Sequence, residues 1–199
     1  MKKFELTNEF VTNMFGTKLF RIRALVEFGD VEAGELGGYV EKESNLGHDD
    51  NAWVYGNAWV YDNAQVSGDA LVYDNARVYG NARVYGNAWV YDNAWVYGNA
   101  QVSGDARVCG DARVCGNGDY AYAHGFGSVN RTTTFFRLKD GGVGVRCGCF
   151  YGTLAQFRDK IRETHGETKK AQEYLMLADL MELRFEEDEN EVGNRKYVE

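Results

Sequence analysis

One six-residue unit opens as Asn51-Ala52-Trp53-Val54-Tyr55-Gly56, is repeated eleven times without a gap, and closes as Asp111-Ala112-Arg113-Val114-Cys115-Gly116. Position two of the unit is alanine and position four is valine in every copy. Position one is Asn or Asp, and position six is Gly or Asp. A short period that is kept this strictly dictates the architecture of the chain.

The unit fits an extended chain that bends once per repeat. In a strand, positions two and four face one side, while positions three and five face the other. Gly, Asp and Asn at the repeat boundary tolerate turn geometry, so the chain can change direction there. Three sides would close a triangular coil of about 18 residues, and coils would stack ~4.8 Å apart. Stacking would place the valines inside, for example in the column Val54, Val72, Val90 and Val108.

This pattern resembles the hexapeptide-repeat family of left-handed β-helices, whose repeat is an aliphatic residue with a small residue two positions before it. The resemblance implies the left-handed sense of the coil. It also implies a homotrimer with parallel axes, because hexapeptide proteins commonly form one. Many members are coenzyme A-dependent acyltransferases, but one scaffold serves many functions, so the fold alone does not assign an activity.

The segments on either side of the repeats predict small additions to this β-helix. Residues 1–50 are predicted to form short strands near Lys3–Leu6 and Lys18–Ala24, followed by a capping coil in which Val40 and Leu46 keep the six-residue spacing. Residues 51–130 are predicted to form the β-helix, residues 131–185 a β-hairpin and two helices, and residues 186–199 an acidic tail. The fold class is therefore mainly β, with a small C-terminal β-hairpin and two-helix appendage.

Two local signals define the C-terminal part in more detail. Tyr120 and Phe126 keep the valine spacing beyond Gly116, which predicts a bulkier closing coil. Thr153 followed by Gln156 is a capping box that predicts a helix start, and Gly166 predicts the end of that helix. This hairpin and helix pair also resembles an appendage of hexapeptide proteins from bacteria and their phages.

Composition narrows the classes of partner. The net charge of −8 disfavours binding to nucleic-acid phosphates. No apolar run approaches the ~20 residues of a membrane span, and the N-terminus lacks the apolar core of a signal peptide. These features predict a cytoplasmic protein without a membrane partner, whose four cysteines remain thiols.

The outward positions predict a binding face. Position three carries Trp or Arg in eight of the eleven repeats, and position five carries mostly tyrosine. The candidate residues of this face are Trp53, Trp59, Trp89, Trp95, Arg77, Arg83, Arg107, Arg113, Tyr91 and Tyr97. Trp, Tyr and Arg are enriched in interface hot spots. The ladders could instead only stabilise the stacked strands, with the arginines stacked on tryptophans and paired with corner aspartates such as Asp74 and Asp92.

Catalytic and metal sites are harder to place. An acyltransferase of this family would need a histidine base, yet residues 51–116 contain no histidine. His48 just before the repeats and His124 just after them are the candidates for this base, and His124 occupies an alanine position that could point inward. Nothing matches the spacing of a zinc site, and Cys109, Cys115, Cys147 and Cys149 are expected to act as small apolar residues.

Three hypotheses follow from these observations. The first is a non-catalytic, trimeric scaffold or binding protein that acts through its aromatic and arginine faces without a cofactor; the loose association with phage proteins suggests an inhibitor or sequestering protein. The second is an acyltransferase that uses coenzyme A, with His124 or His48 as the base. The third is a nucleotide-binding protein that holds a small anionic ligand between subunits through Arg and Trp.

Overall fold

The computed structural model describes residues 2–127, 129 and 131–186, and three strands precede the repeats. These strands are β1 (Phe4–Thr12), β2 (Lys18–Ala24) and β3 (Leu36–Val40). β1 pairs antiparallel with β2, and β2 pairs antiparallel with β3. The two N-terminal strands predicted from the sequence are confirmed, although β1 continues well beyond Leu6.

The repeats form a parallel β-solenoid, as predicted. Positions three and four of each repeat make a two-residue strand. In chain order these strands are β4 (Trp53–Val54), β5 (Trp59–Val60), β6 (Gln65–Val66), β7 (Leu71–Val72), β8 (Arg77–Val78), β9 (Arg83–Val84), β10 (Trp89–Val90), β11 (Trp95–Val96), β12 (Gln101–Val102), β13 (Arg107–Val108) and β14 (Arg113–Val114). Each strand pairs with the strand three repeats away, so that Trp59 pairs with Arg77 and Arg77 with Trp95. The coil length is therefore 18 residues, the difference between successive partners.

Three faces result from this stacking. Face 1 contains β4, β7, β10 and β13; face 2 contains β5, β8, β11 and β14; face 3 contains β6, β9 and β12. On face 2, β3 pairs in parallel with β5, so the N-terminal strands extend this sheet to seven strands in the order β1-β2-β3-β5-β8-β11-β14.

The interior of the solenoid is dry and aliphatic. Every valine at position four and every alanine at position two is at most 1% exposed. The coils are joined by backbone hydrogen bonds, such as that from the Tyr73 amide to the Val90 carbonyl at 3.0 Å. Close packing of this kind leaves no room for a ligand inside the coil, so a binding site must lie on the outside.

The corners explain why Asp can replace Gly at position six. Asp62 and Asp92 have φ values of 57° and 58°, in the left-handed region that Asn and Asp tolerate better than most residues. Their carboxylates also join successive coils, because Asp92 Oδ2 accepts from the Gly110 amide at 3.1 Å and Asp62 Oδ2 accepts from the Gly80 amide at 3.1 Å.

The N-terminal segment caps the open end of the solenoid, as expected for a repeat array. Val40 stacks on Val60 and Leu46 on Val66, which confirms the predicted first coil. Lys3 is 3% exposed, and its ammonium group donates to the carbonyl of Asp50 at 3.2 Å and of Ala52 at 2.9 Å. The lysine thereby satisfies carbonyl groups of the first complete coil.

The C-terminal end is closed by an antiparallel sheet. Its strands are β15 (Tyr120–Phe126), β16 (Arg131–Arg137), β17 (Val143–Cys147) and β18 (Phe150–Thr153), in sequential order. The predicted hairpin corresponds to β16 and β17. The predicted closing coil is wrong, because β15 pairs antiparallel with β16 and Phe126 is 44% exposed. The six-residue spacing of Tyr120 and Phe126 is outweighed by strand pairing with residues far along the chain.

Two helices cover one side of this sheet. They are α1 (Leu154–His165) and α2 (Lys169–Phe185). The capping box at the start of α1 is confirmed, since Thr153 accepts from the Gln156 amide while Gln156 accepts from the Thr153 amide. Gly166 ends this helix with a φ of 56°. The predicted acidic tail lies outside the described residues except for Glu186.

Candidate binding face

Face 1 is partly covered by the segments at the two ends of the solenoid. Trp53 was predicted to lie on an open face, but it is fully buried. Phe28 and Phe4 pack edge-on against its indole ring, with centroid distances of 5.3 and 6.2 Å. Because these two residues come from the non-repetitive N-terminal segment, the repeat pattern alone could not reveal this burial.

The C-terminal end of face 1 is closed in a similar way. The Arg107 amide donates to Thr134 Oγ1 of β16 at 2.9 Å, and Tyr91 is only 9% exposed. The Arg107 guanidinium stacks on Trp89 at 4.3 Å from the ring centroid. Tyr91 therefore does not belong to an open binding face, whereas Trp89 and Arg107 remain partly exposed.

Face 3 is polar rather than aromatic. Its position-three residues Gln65, Arg83 and Gln101 are all exposed. Within the described part of the chain, the Arg83 side chain has neither an aromatic stacking partner nor a hydrogen-bond acceptor. Arg83 therefore provides a natural comparison for the arginines that do stack.

Face 2 carries the most continuous outward array, which we call the ladder: Trp59, Arg77, Trp95 and Arg113. The Arg77 guanidinium lies between two indoles, 4.5 Å from the centroid of Trp59 and 5.1 Å from that of Trp95. Arg113 stacks on Trp95 at 4.2 Å. All four side chains are partly exposed. The 18-residue coil produces this alternation, since it brings position three of every third repeat into register.

A column of tyrosines runs beside the ladder on the same face. Tyr61 and Tyr79 are stacked with centroids 5.0 Å apart, and Tyr79 and Tyr97 with centroids 5.1 Å apart. Leu19 from β2 covers the N-terminal end of the column, where Tyr61 is 7% exposed. Tyr97, at the other end, is partly exposed and completes the face.

Burial of these phenol groups changes their acidity. Desolvation raises the pKa of Tyr61 to about 12, and it raises the pKa of Tyr73 on face 1 to about 12 as well. Desolvation also raises the pKa of Tyr79, and the neighbouring phenols Tyr61 and Tyr97 add to this effect. Near neutral pH the tyrosines are therefore neutral, and Arg77 and Arg113 supply the positive charge of face 2.

The arginines of the ladder differ in their hydrogen bonds. Arg113 Nη1 donates to the carbonyls of Asn93 and Ala112, at 3.0 and 2.8 Å. Among the described residues, the Arg77 guanidinium has no hydrogen-bond acceptor, although both of its flat sides are covered. The expected stacking of arginine on tryptophan is thus observed, whereas ion pairs from the ladder to Asp74 or Asp92 are not found among the described residues.

The two candidate histidines are in different environments. His48 stacks on Phe4 at 4.5 Å, accepts from the Lys3 amide at 3.1 Å through Nδ1, and lies 3.1 Å from Glu43 Oε1 through Nε2. Both ring nitrogens are therefore used in the N-terminal cap. In this arrangement neither ring nitrogen of His48 can contact a substrate without losing a contact of the cap.

His124 lies on β15 and is exposed, so the expectation that its alanine position points inward is wrong. Its Nδ1 lies 2.8 Å from Thr132 Oγ1 and 4.0 Å from Asp105 Oδ2. Both neighbours approach the same ring nitrogen. A catalytic relay needs one group on each nitrogen, so this geometry does not form one.

The cysteines and acidic side chains of the described residues do not form a metal-binding site. None of the four cysteines, which all lie in the described residues, forms a disulfide, and burial raises the pKa of the Cys109 thiol to about 11, which makes it a poor nucleophile. In the described ranges, no three His, Cys, Asp or Glu side chains come together to hold a metal ion. No helix of the described chain is both long and apolar enough to cross a membrane.

Comparison with known proteins supports the type of repeat. The family described as the YdcK beta solenoid repeat matches residues 64–78, 76–92, 88–104 and 100–116. Together these matches run without a gap through most of the solenoid, including Arg77, Trp95 and Arg113 of the ladder. None of the curated proteins matches the chain significantly. The repeats are thus similar to YdcK beta solenoid repeats, and the matched residues lie between the two ends that close the solenoid.

Proposed function

We propose that this protein is a non-catalytic, trimeric scaffold or binding protein, and that the ladder on face 2 is its contact surface. The observation that carries the proposal is the position of Arg77, which is held between Trp59 and Trp95 without a hydrogen-bond acceptor among the described residues. Tryptophan and arginine are the residue types that dominate interface energetics. A partly exposed ladder of both types is therefore suited to meeting a partner.

The stacking geometry indicates how a partner would be recognised. The flat sides of Arg77 are occupied by indoles, so a partner reaches the guanidinium through its N–H edge. That edge matches a carboxylate, which can accept two parallel hydrogen bonds. The neighbouring indole edges add apolar contact area. The ladder is thus better suited to an acidic protein surface than to a base or adenine ring stacked between its members.

A second copy of this chain would supply such carboxylates. The chain has a net charge of −8, and Asp74 is exposed at the corner between faces 1 and 2. In a trimer of parallel solenoids, the ladder of each subunit would face a corner of its neighbour. The trimer itself is carried over from the resemblance to hexapeptide proteins, as is a role for a cytoplasmic, phage-type inhibitor that sequesters a host factor.

Light scattering of the purified protein tests this proposal. The wild type is expected at three times the mass of the 22.4 kDa chain, or at a multiple of that trimer mass. Arg77→Ala and Trp95→Ala are expected to shift the population towards smaller species, while Arg83→Ala, which changes an exposed and unstacked arginine on face 3, is expected to leave it unchanged. A wild type that remains at 22.4 kDa, or a trimer that is insensitive to both ladder variants, would contradict the proposal.

The two alternative functions make different predictions. An acyltransferase would bind acetyl-coenzyme A and lose turnover in His124→Ala, whereas a nucleotide-binding protein would be stabilised by a nucleotide through phosphate contacts to Arg77. A thermal-shift panel with acetyl-coenzyme A and nucleotides separates them. We expect no stabilisation with any of these compounds, because both flat sides of Arg77 and both faces of Trp95 are already covered within the ladder.

A further inference from the structure

Helix α2 carries an apolar stripe that the other described residues leave largely uncovered. Met176, Leu180 and Leu183 are 71%, 55% and 68% exposed. Their spacings of four and three residues place them on one side of the helix. Isolated exposed apolar residues are common, but an aligned group of large ones typically marks a contact surface.

The stripe lies opposite the side of α2 that packs on the C-terminal sheet. Tyr174, Ala178 and Met181 form the packed side and are at most 8% exposed. The neighbouring helix α1 shows the ordinary pattern, since its exposed side carries charged residues such as Lys160 and Glu163. The second apolar side is therefore a particular feature of α2 and not a general property of this layer.

We propose that the stripe binds the same stripe of a second copy, with the two α2 helices antiparallel about a two-fold axis. Leu180 then lies opposite Leu180 of the partner subunit. Met176 lies opposite Leu183 of the partner subunit, and Leu183 lies opposite Met176 of the partner subunit. A two-fold interface uses the same patch on both chains, which this short symmetric stripe provides.

Charged residues around the stripe favour a second copy in this orientation. Lys169 lies seven residues before Met176 and therefore on the same side of the helix. A parallel pair would bring Lys169 against the partner's Lys169, whereas an antiparallel pair separates them. Glu173 and Arg184 flank the stripe on one side, and antiparallel pairing places each Arg184 opposite the partner's Glu173.

Both flanking residues are already oriented by contacts within the chain. Arg184 Nη2 donates to the Asn117 carbonyl at 3.3 Å, and Glu173 Oε2 accepts from the Gly127 amide at 2.9 Å. Each keeps further donors or a second oxygen for a partner. Asp179 lies on the other flank, where it would approach its own copy, but Arg158 offsets its charge at 2.8 Å.

The small size of the stripe limits the expected affinity of the α2 pairing. Three apolar side chains per chain form a patch smaller than most stable interfaces, so a single pair of helices should associate weakly. If the solenoid also assembles through face 2, several α2 pairs would act together and strengthen the contact. The inference does not depend on that assembly, since the stripe and the ladder lie on separate parts of the molecule.

Sedimentation of the full chain over a range of concentrations tests the pairing. Leu180→Glu is expected to halve the largest mass reached by the wild type, whatever the size of the basic unit. Thr164→Glu adds the same charge at an exposed position of α1 and is expected to leave the mass unchanged. A wild type that shows the same mass as Leu180→Glu at every concentration would overturn the proposal.

Cysteine cross-linking tests the orientation independently. The exposed native thiols Cys115 and Cys149 are first changed to Ser. Leu180→Cys is then expected to form a disulfide with its own copy, because facing positions of a close helix pair come within reach of a disulfide. Met176→Cys and Leu183→Cys are each expected to cross-link only when mixed. Self-cross-linking of Met176→Cys alone would show a parallel pair, and the absence of any cross-link would also overturn the proposal.

Adding Arg77→Ala to these variants separates a failure of the ladder from a failure of the stripe. The α2 cross-links are expected to form in this background too, because the stripe does not involve the ladder.

Discussion

The guanidinium of Arg113 lies over the indole of Trp95, with its central carbon 4.2 Å from the ring centroid. Arg77 covers the other face of the same indole at 5.1 Å. Trp95 is thus enclosed by two cations 18 residues on either side of it in the chain. These contacts arise because the coil is 18 residues long, and not because the residues are close in sequence. The same side chains therefore stabilise the solenoid and form the surface that we propose for binding.

The first prediction concerns the stability of the ladder. Arg77→Ala removes two cation–π contacts and is expected to lower the free energy of unfolding by about 1–2 kcal/mol. Arg83→Ala removes an arginine without such contacts and should stay within about 0.5 kcal/mol of the wild type. Denaturant unfolding followed by tryptophan fluorescence measures both. Equal effects of the two variants would show that stacking contributes nothing.

The second prediction concerns the dry interior. Val90 is fully buried at the centre of the solenoid, so Val90→Ala leaves a cavity and is expected to cost about 2–3 kcal/mol. Gln65→Ala, on exposed face 3, is the matched surface change and should have little effect. Thermal unfolding by circular dichroism compares the two. If Val90→Ala unfolds at the same temperature as the wild type, the interior is not close-packed.

The third prediction concerns alkaline pH. Burial raises the pKa of Tyr61 and Tyr73 to about 12, so the unfolded chain, with tyrosines near pH 10, releases these protons first. Above about pH 10 the unfolded state therefore binds fewer protons than the folded state, and stability falls as pH rises towards 12. Absorbance at 295 nm should show a set of tyrosines that ionise only on unfolding. Ionisation of every tyrosine near pH 10 in the folded protein would contradict this result.

The fourth prediction concerns the cap at the N-terminal end. Desolvation lowers the pKa of Lys3 from 10.5 to about 8. Between these values the unfolded chain binds more protons, so this residue makes stability rise with pH, by at most about 1.4 kcal/mol per pH unit. Lys3→Met should flatten the rise between about pH 8 and pH 9.5, below the range in which the tyrosines act. Lys2→Met changes an exposed lysine and should preserve the rise, as measured by denaturant midpoints across this range. If the stability of Lys3→Met rises with pH as steeply as that of the wild type, Lys3 is not the cause of the rise.

The sequence predicts the solenoid well because one physical signal is repeated many times. Ala at position two and Val at position four each recur in every unit, and only an 18-residue coil places all of them inside. The same 18-residue spacing places Trp59, Arg77, Trp95 and Arg113 on one face. The left-handed sense remains a prediction that rests on the resemblance.

The ends of the solenoid could not be predicted equally well because they depend on contacts between residues that are distant in sequence. Trp53 belongs to a perfect repeat, yet Phe4 and Phe28 bury it. Phe126 keeps the repeat spacing, yet pairing of β15 with β16 removes it from the coil. A buried lysine such as Lys3 gives no signal in the sequence, since nothing in its local pattern distinguishes it from Lys2.

The proposed role of face 2 as an association surface has one most direct test. A variant that keeps only Trp95, with the other three tryptophans changed to Phe, allows its exposure to acrylamide to be followed by fluorescence quenching during dilution. We predict that Trp95 is protected while the protein is trimeric and becomes more accessible as the mass falls towards 22.4 kDa. Equal quenching of Trp95 in the assembled and the dissociated protein would contradict the proposed role of the ladder.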